Sequence, residues 1–250
     1  MAMQRRLVRL ARGIVVLSDF SRNELLDLAP ATQNKIVKIP GGIEPGIFFP
    51  ADAPDVRPKY GIENDAPILF TARRLVRRVG IDILFEALAL LNGGGLKLNL
   101  IVAGQGPMRA RLESEAVKLG IKDSVRFVGF VSDADLADLY RGCDIFVLPT
   151  REQENFGLPV LEAAACGCPV VATPVGSLPE VMSAVGSPYL CERADARAIA
   201  SAVERVLDDA SRAARSSGER AKSVLQKYSW DAVAQSHLEH YEKVIACASR

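Results

Sequence analysis

Ile145-Phe146-Val147-Leu148-Pro149-Thr150-Arg151-Glu152-Gln153-Glu154-Asn155-Phe156-Gly157-Leu158-Pro159-Val160-Leu161-Glu162-Ala163-Ala164-Ala165-Cys166-Gly167-Cys168-Pro169-Val170-Val171-Ala172 holds the alternation on which the fold turns. The apolar, β-branched run 145–148 leads through a polar loop into a helical stretch starting near Gly157. Cys166-Gly167-Cys168-Pro169 breaks that stretch before a second apolar run, 170–172. Runs that are continuously apolar suit strands buried on both faces. Two such strands joined by a helix form the unit of a parallel sheet covered by helices.

The same alternation extends outward. Residues 13–17, 36–39, 68–71, 98–103 and 125–128 read as further buried strands. Ile81, Leu84, Phe85 and Leu88 share one helical face, and Leu136, Leu139 and Tyr140 repeat that spacing behind Ser132, a suitable N-cap. Residues 108–119 and 230–248 are helical in pattern as well. The expected fold is α/β, a Rossmann-like parallel sheet with helices on both faces. In such sheets ligands sit beyond the carboxyl ends of the strands.

Proline and glycine crowd residues 45–66 and the turn before them, which is linker composition. That stretch sets off a front piece, 1–44, with only two strands, too few for a core of its own. The back piece, 67–228, carries at least five strands, and 229–250 is a closing helix. At 250 residues a chain hides roughly 70–75% of its unfolded surface, so its core needs no disulfide or metal.

Net charge is +1, which points to no nucleic-acid partner. Arg5, Arg6, Arg9 and Arg12 interleave with Leu7, Val8 and Leu10. They suit either a peripheral helix on anionic lipid or a surface helix feeding the next strand; the shortness of the segment favours the latter. No apolar run reaches the roughly 20 residues of a membrane span. The five cysteines are odd in number and scattered, which points to a reducing compartment, the cytoplasm. With only His237 and His240 available, both near the end of the chain, Cys166 and Cys168 read as buried thiols rather than metal ligands, and no metal is expected.

Three features lie at carboxyl ends of strands. Thr71-Ala72-Arg73-Arg74-Leu75-Val76-Arg77-Arg78-Val79-Gly80 is a cationic loop suited to a diphosphate, since guanidinium groups bind phosphate bidentately. Read alone, it is equally a solvated basic loop. Gly104-Gln105-Gly106 opens like a dinucleotide fingerprint, but Arg109 takes the third glycine position and no acid ends the next strand. A tight turn packing a helix on the sheet explains it better than hydride transfer does. The helix start at Gly157 offers free N–H groups to an anion. Glu154 and Glu162 flank it; two carboxylates beside a diphosphate make sense if each accepts hydrogen bonds from hydroxyls on either side.

Glu154, seven residues, then Glu162, followed by an Ala-x-Gly-x-Pro-Val-Val pattern, resembles the donor-site signature of the family-four (group 1) retaining glycosyltransferases. Ile39-Pro40-Gly41-Gly42-Ile43-Glu44, Gly104-x-Gly106-Pro107, Phe127-Val128-Gly129, Gly176-Ser177 with Pro179-Glu180, and Ser229-Trp230 agree in order. The resemblance implies one half of a GT-B fold, two Rossmann-like domains with the reaction in the cleft between them. It implies hexosyl transfer from a nucleoside diphosphate sugar to an acceptor hydroxyl, with Glu154 on the donor sugar and Glu162 on the ribose. Amides of Asn155, Phe156, Gly157 and Leu158 would hold sugar and diphosphate, Arg74 the diphosphate, and Phe130–Val131 the base. Gly104 and Arg78 are further donor-site candidates.

Two departures stand out. The family places a lysine where this chain has Val79, which leaves Arg77 or Arg78 to supply that charge. The family's amino-terminal acceptor domain has no counterpart here beyond its closing strands, in residues 1–44. A non-catalytic nucleotide-binding module and another GT-B enzyme, such as an epimerase or a phosphorylase, are the rival readings, because fold alone does not separate them.

Overall fold

The computed structural model describes residues 7–248, with side chains apart from 210–217 and 247–248. Two parallel strands come first, β1 (Ile14–Val16) and β2 (Ile36–Lys38), joined through helix α1 (Asp19–Leu28). Ser18 caps α1, its hydroxyl accepting the Ser21 amide at 3.1 Å.

The larger sheet has five parallel strands: β3 (Ile68–Ala72), β4 (Asn99–Ala103), β5 (Val125–Gly129), β6 (Ile145–Leu148) and β7 (Val170–Ala172). Between them run α2 (Ile81–Gly93), α3 (Arg109–Lys118), α4 (Asp133–Gly142) and α5 (Leu158–Ala165). After β7 come α6 (Leu178–Ala184), α7 (Ala196–Asp208), α8 (Ala210–Tyr228) and α9 (Trp230–Ala248).

The spatial order is β5-β4-β3-β6-β7. The chain steps outward from β3 to β5, then crosses back to place β6 on the other side of β3. That reversal opens a crevice at the carboxyl ends of β3 and β6.

Successive side chains on a strand point to opposite faces, and here both faces are apolar. Phe70, Phe146 and Leu148 pack with Leu139, Tyr140, Val160 and Leu161 of α4 and α5. Leu69, Ile145 and Val147 pack with Leu84, Phe85, Leu88, Ile199 and Val203 of α2 and α7. Burying each such side chain contributes about 1.5–3 kcal/mol.

Residues 45–66, a linker by composition, are not a free spacer. Phe48, Val56 and Ile62 are buried in the same cluster as Phe70 and Phe146, so the prolines shape a strap laid over the core. The front piece also has a fixed seat. The Ile43 amide donates to the Tyr228 carbonyl at 2.8 Å, and the Trp230 amide to the Ile43 carbonyl at 3.1 Å. Gly13 lies so close to α9 that an added Cβ would fall 2.8 Å from His240 Nε2. Among the described residues, no helix is long and apolar enough to cross a membrane.

Candidate functional site

All the loops that line the crevice leave carboxyl ends of strands. The loop after β6, residues 149–157, carries most of the chemistry. Gln153 takes a left-handed backbone (φ 51°), which reverses the chain and turns Glu154 inward. Glu154 is 9% exposed. Its Oε2 accepts Arg73 Nη2 at 2.7 Å and the Thr150 hydroxyl at 3.4 Å.

The loop is pinned by its carbonyls. The Glu154 carbonyl accepts the Ser177 amide at 2.9 Å and the Ser177 hydroxyl at 3.0 Å. The Asn155 carbonyl accepts the Ser18 hydroxyl at 2.7 Å, which ties the loop to the front piece. Lys38 Nζ, bonded to Asp19 at 2.6 Å and to Glu180 at 2.7 Å, staples the same junction.

The amides are left over. Among the described residues, those of Asn155, Phe156, Gly157 and Leu158 donate to no protein acceptor. Gly157 begins α5 in a left-handed conformation (φ 88°) that disfavours any side chain, and no side chain caps the helix. A run of free N–H groups at a helix start is an anion site, favoured further by the helix dipole.

The family model for glycosyl transferases group 1 matches residues 52–224. The chain belongs to the group 1 glycosyltransferases. A D-inositol 3-phosphate glycosyltransferase of Kineococcus radiotolerans is 31% identical over 260 residues, 97% of this chain and 59% of that protein. The curated relatives this chain matches are longer than it is; it spans three fifths or less of their length. Among solved structures, sucrose-phosphate synthase of Thermosynechococcus elongatus is 28% identical with a TM-score of 0.84, covering 98% of this chain and 61% of that one. Anabaena HepE, solved in complex with UDP and glucose, shares the fold with a TM-score of 0.86 at 21% identity, over 97% of this chain and 66% of that one.

In this group 1 glycosyltransferase Glu162 lies on α5, half-buried, one and a half turns beyond the free amides. Its Oε2 accepts the hydroxyl of Tyr140 at 2.9 Å, and Tyr140 is fully buried against Phe70 and Phe146. Burial pushes the Glu162 carboxyl above its ordinary range, against the Tyr140 hydrogen bond, which lowers it. Oε1 carries no protein hydrogen bond among the described residues, so the carboxylate has an oxygen to offer a hydroxyl.

The cationic loop after β3 turns its arginines different ways. Arg73, which the sequence does not single out, is the arginine that turns inward to Glu154, while Arg74 is exposed and its side chain has no partner among the described residues. Arg78 reaches across to the Gln153 carbonyl at 2.9 Å, tying the two loops together. Val79 is 1% exposed within the apolar cluster under α2, so its position faces the core rather than the crevice.

The Gly104 backbone is engaged within the fold. Its amide donates to the Gly129 carbonyl at 2.6 Å, and an added Cβ would fall 1.9 Å from the Arg73 carbonyl oxygen. It shapes the site by letting the loops after β3 and β4 touch. Phe130 and Val131 follow β5 at the same sheet edge; Phe130 is 79% exposed and Val131 packs on the core. Cys143, Cys166, Cys168 and Cys191 are free and buried. Burial pushes the Cys166 and Cys191 thiols up to about 12, so neither is a nucleophile at neutral pH.

Proposed function

We propose that the chain binds a nucleoside diphosphate sugar in this crevice and serves as the donor half of a retaining glycosyltransferase. The observation that carries the reading is the set of free amides at residues 155–158, flanked by the inward carboxylates Glu154 and Glu162. Glu154 would accept from sugar hydroxyls and Glu162 from the ribose diol, with the diphosphate over the start of α5. The base would lie along the main chain of Phe130 and Val131.

In the reaction the bond from the anomeric carbon to the phosphate oxygen breaks, its electron pair leaving with the diphosphate. The acceptor hydroxyl oxygen bonds that carbon on the same face, and its proton passes to the departing phosphate. Arg74, Arg78 and the α5 amides would stabilise the charge that develops, an electrostatic role. No cofactor is needed for this step. The acceptor would be held by an amino-terminal domain to which residues 1–44 would contribute the closing strands. The reading places the protein in the cytoplasm.

A calorimetric screen against UDP, GDP, ADP and their sugars tests it. One nucleotide is expected to bind well ahead of the others. No binding of any at millimolar concentration would overturn the reading.

A further inference from the structure

Arg73 is held at three points. Its amide donates to the Ala103 carbonyl at 3.0 Å, its own carbonyl lies under Gly104, and Nη2 reaches Glu154 at 2.7 Å. The side chain is only 12% exposed. A guanidinium has five N–H donors. Among the described residues, the Glu154 bond is the only one its side chain makes to protein, and its remaining nitrogens still reach solvent. A largely buried ion pair holds well only when its remaining donors are also bonded. Here those nitrogens face solvent, where an acceptor entering the crevice can take the place of water.

Its position says which acceptor. Arg73 is bonded to Glu154, and its charge also acts on Glu162, opposing the rise that burial causes there. Glu154 directly precedes the free amides of residues 155–158, so Arg73 stands beside the proposed anion site. A ligand whose hydroxyl-rich ends meet the two carboxylates and whose connecting group sits on those amides brings that group beside Arg73. In the donor reading above, on which this inference rests, the ends are sugar and ribose and the connection is the diphosphate. Other cations of the loop are less well placed: Arg74 and Arg77 are exposed, and Arg78 is bonded to the Gln153 carbonyl.

We infer that Arg73 is a ligand of the donor diphosphate, bridging Glu154 and a phosphate oxygen through separate guanidinium nitrogens. It supplies an inward positive charge that position 79, with its buried valine, does not.

The test is calorimetry on the full chain with whichever of UDP, GDP and ADP the parent binds most tightly, and with the matching nucleoside. Arg73→Ala is expected to weaken the diphosphate about tenfold or more and the nucleoside by less than about twofold. Removing Arg73 also leaves Glu154 as an unpaired anion, so the substitution is repeated in a Glu154→Gln background. A direct phosphate ligand still costs about tenfold there; no loss in that background makes Arg73 merely the partner of Glu154 and overturns the inference. Arg73→Gln, which keeps a donor for Glu154 without the charge, serves the same test should the alanine variant melt early. A parent that binds none of the three diphosphates sinks the donor reading itself. A parent that binds, with Arg73→Ala binding equally well, sinks Arg73 alone.

Discussion

Replacing Glu162 with glutamine should separate its binding role from its place in the fold. Its Oε2 accepts the Tyr140 hydroxyl at 2.9 Å from a fully buried ring, and the glutamine oxygen can accept the same bond, so packing on α4 is retained. What is lost is charge. A hydrogen bond from a ribose hydroxyl to a carboxylate is worth about 1.5–3 kcal/mol, against about 1 kcal/mol for a neutral acceptor. The difference, about 0.5–2 kcal/mol, is roughly a two- to thirtyfold loss in nucleoside diphosphate affinity.

The sign of the stability change is opposite. Burial raises the folded carboxyl above its ordinary 4.5, so between that value and its folded one the native state holds more protons than the unfolded state. Stability from this group therefore falls as pH rises through the window, and the cost persists at neutral pH. Glu162→Gln is expected to melt at or above the parent temperature at pH 7, with the gap closing as pH drops toward the ordinary carboxyl value of 4.5. Parent binding should weaken over the same descent, because a protonated carboxyl loses its anionic acceptor. Calorimetric titration and scanning calorimetry at several pH values read both. A variant that binds diphosphate as tightly as the parent at pH 7 refutes the ribose assignment.

Arg74→Ala should cost up to about 2 kcal/mol in diphosphate affinity and leave nucleoside binding unchanged, measured by titration at low salt. If high salt erases the difference, the arginine is only part of a solvated loop. Gly104→Ala should destabilise the fold by about 3 kcal/mol or more, since its φ is 125° and the new methyl would overlap the Arg73 carbonyl; an unchanged denaturant midpoint would contradict that packing. Val79→Lys should lower the melting temperature rather than improve binding, because the position is 1% exposed among Leu84, Leu88 and their neighbours. Tighter diphosphate binding in that variant would show that the side chain escapes to the crevice.

The strands were legible because burial on both faces leaves continuous apolar runs, and β3 and β6 lie within a residue of where those runs end. That same burial hid the phase of the loop beyond β3. With Ile68 to Thr71 all buried, no alternation tells which way Arg73 and Arg74 turn, and the contact of Arg73 with Glu154 shows only in the folded chain. Helices α1, α6, α7 and α8 did not stand out in the sequence, although Ile199, Ala202, Val203 and Val206 give α7 a clear apolar face. Proline content over residues 45–66 says nothing of how the stretch packs, which Phe48, Val56 and Ile62 decide. The two glutamates were legible from spacing on a helix start. Thr150 is in the same loop as Glu154, but Tyr140 comes from α4 and Arg73 from the loop after β3, and only the folded chain brings these together.

The account rests most on the four free amides at the start of α5. Amide chemical shifts of the 15N-labelled chain, followed as the preferred nucleoside diphosphate is added, probe them directly. The largest changes are expected at Asn155, Phe156, Gly157 and Leu158, with smaller ones at the loop after β3. Saturable shifts confined elsewhere, for instance around Arg12, Lys35 and His240 where a cavity of about 650 Å³ opens, would contradict it.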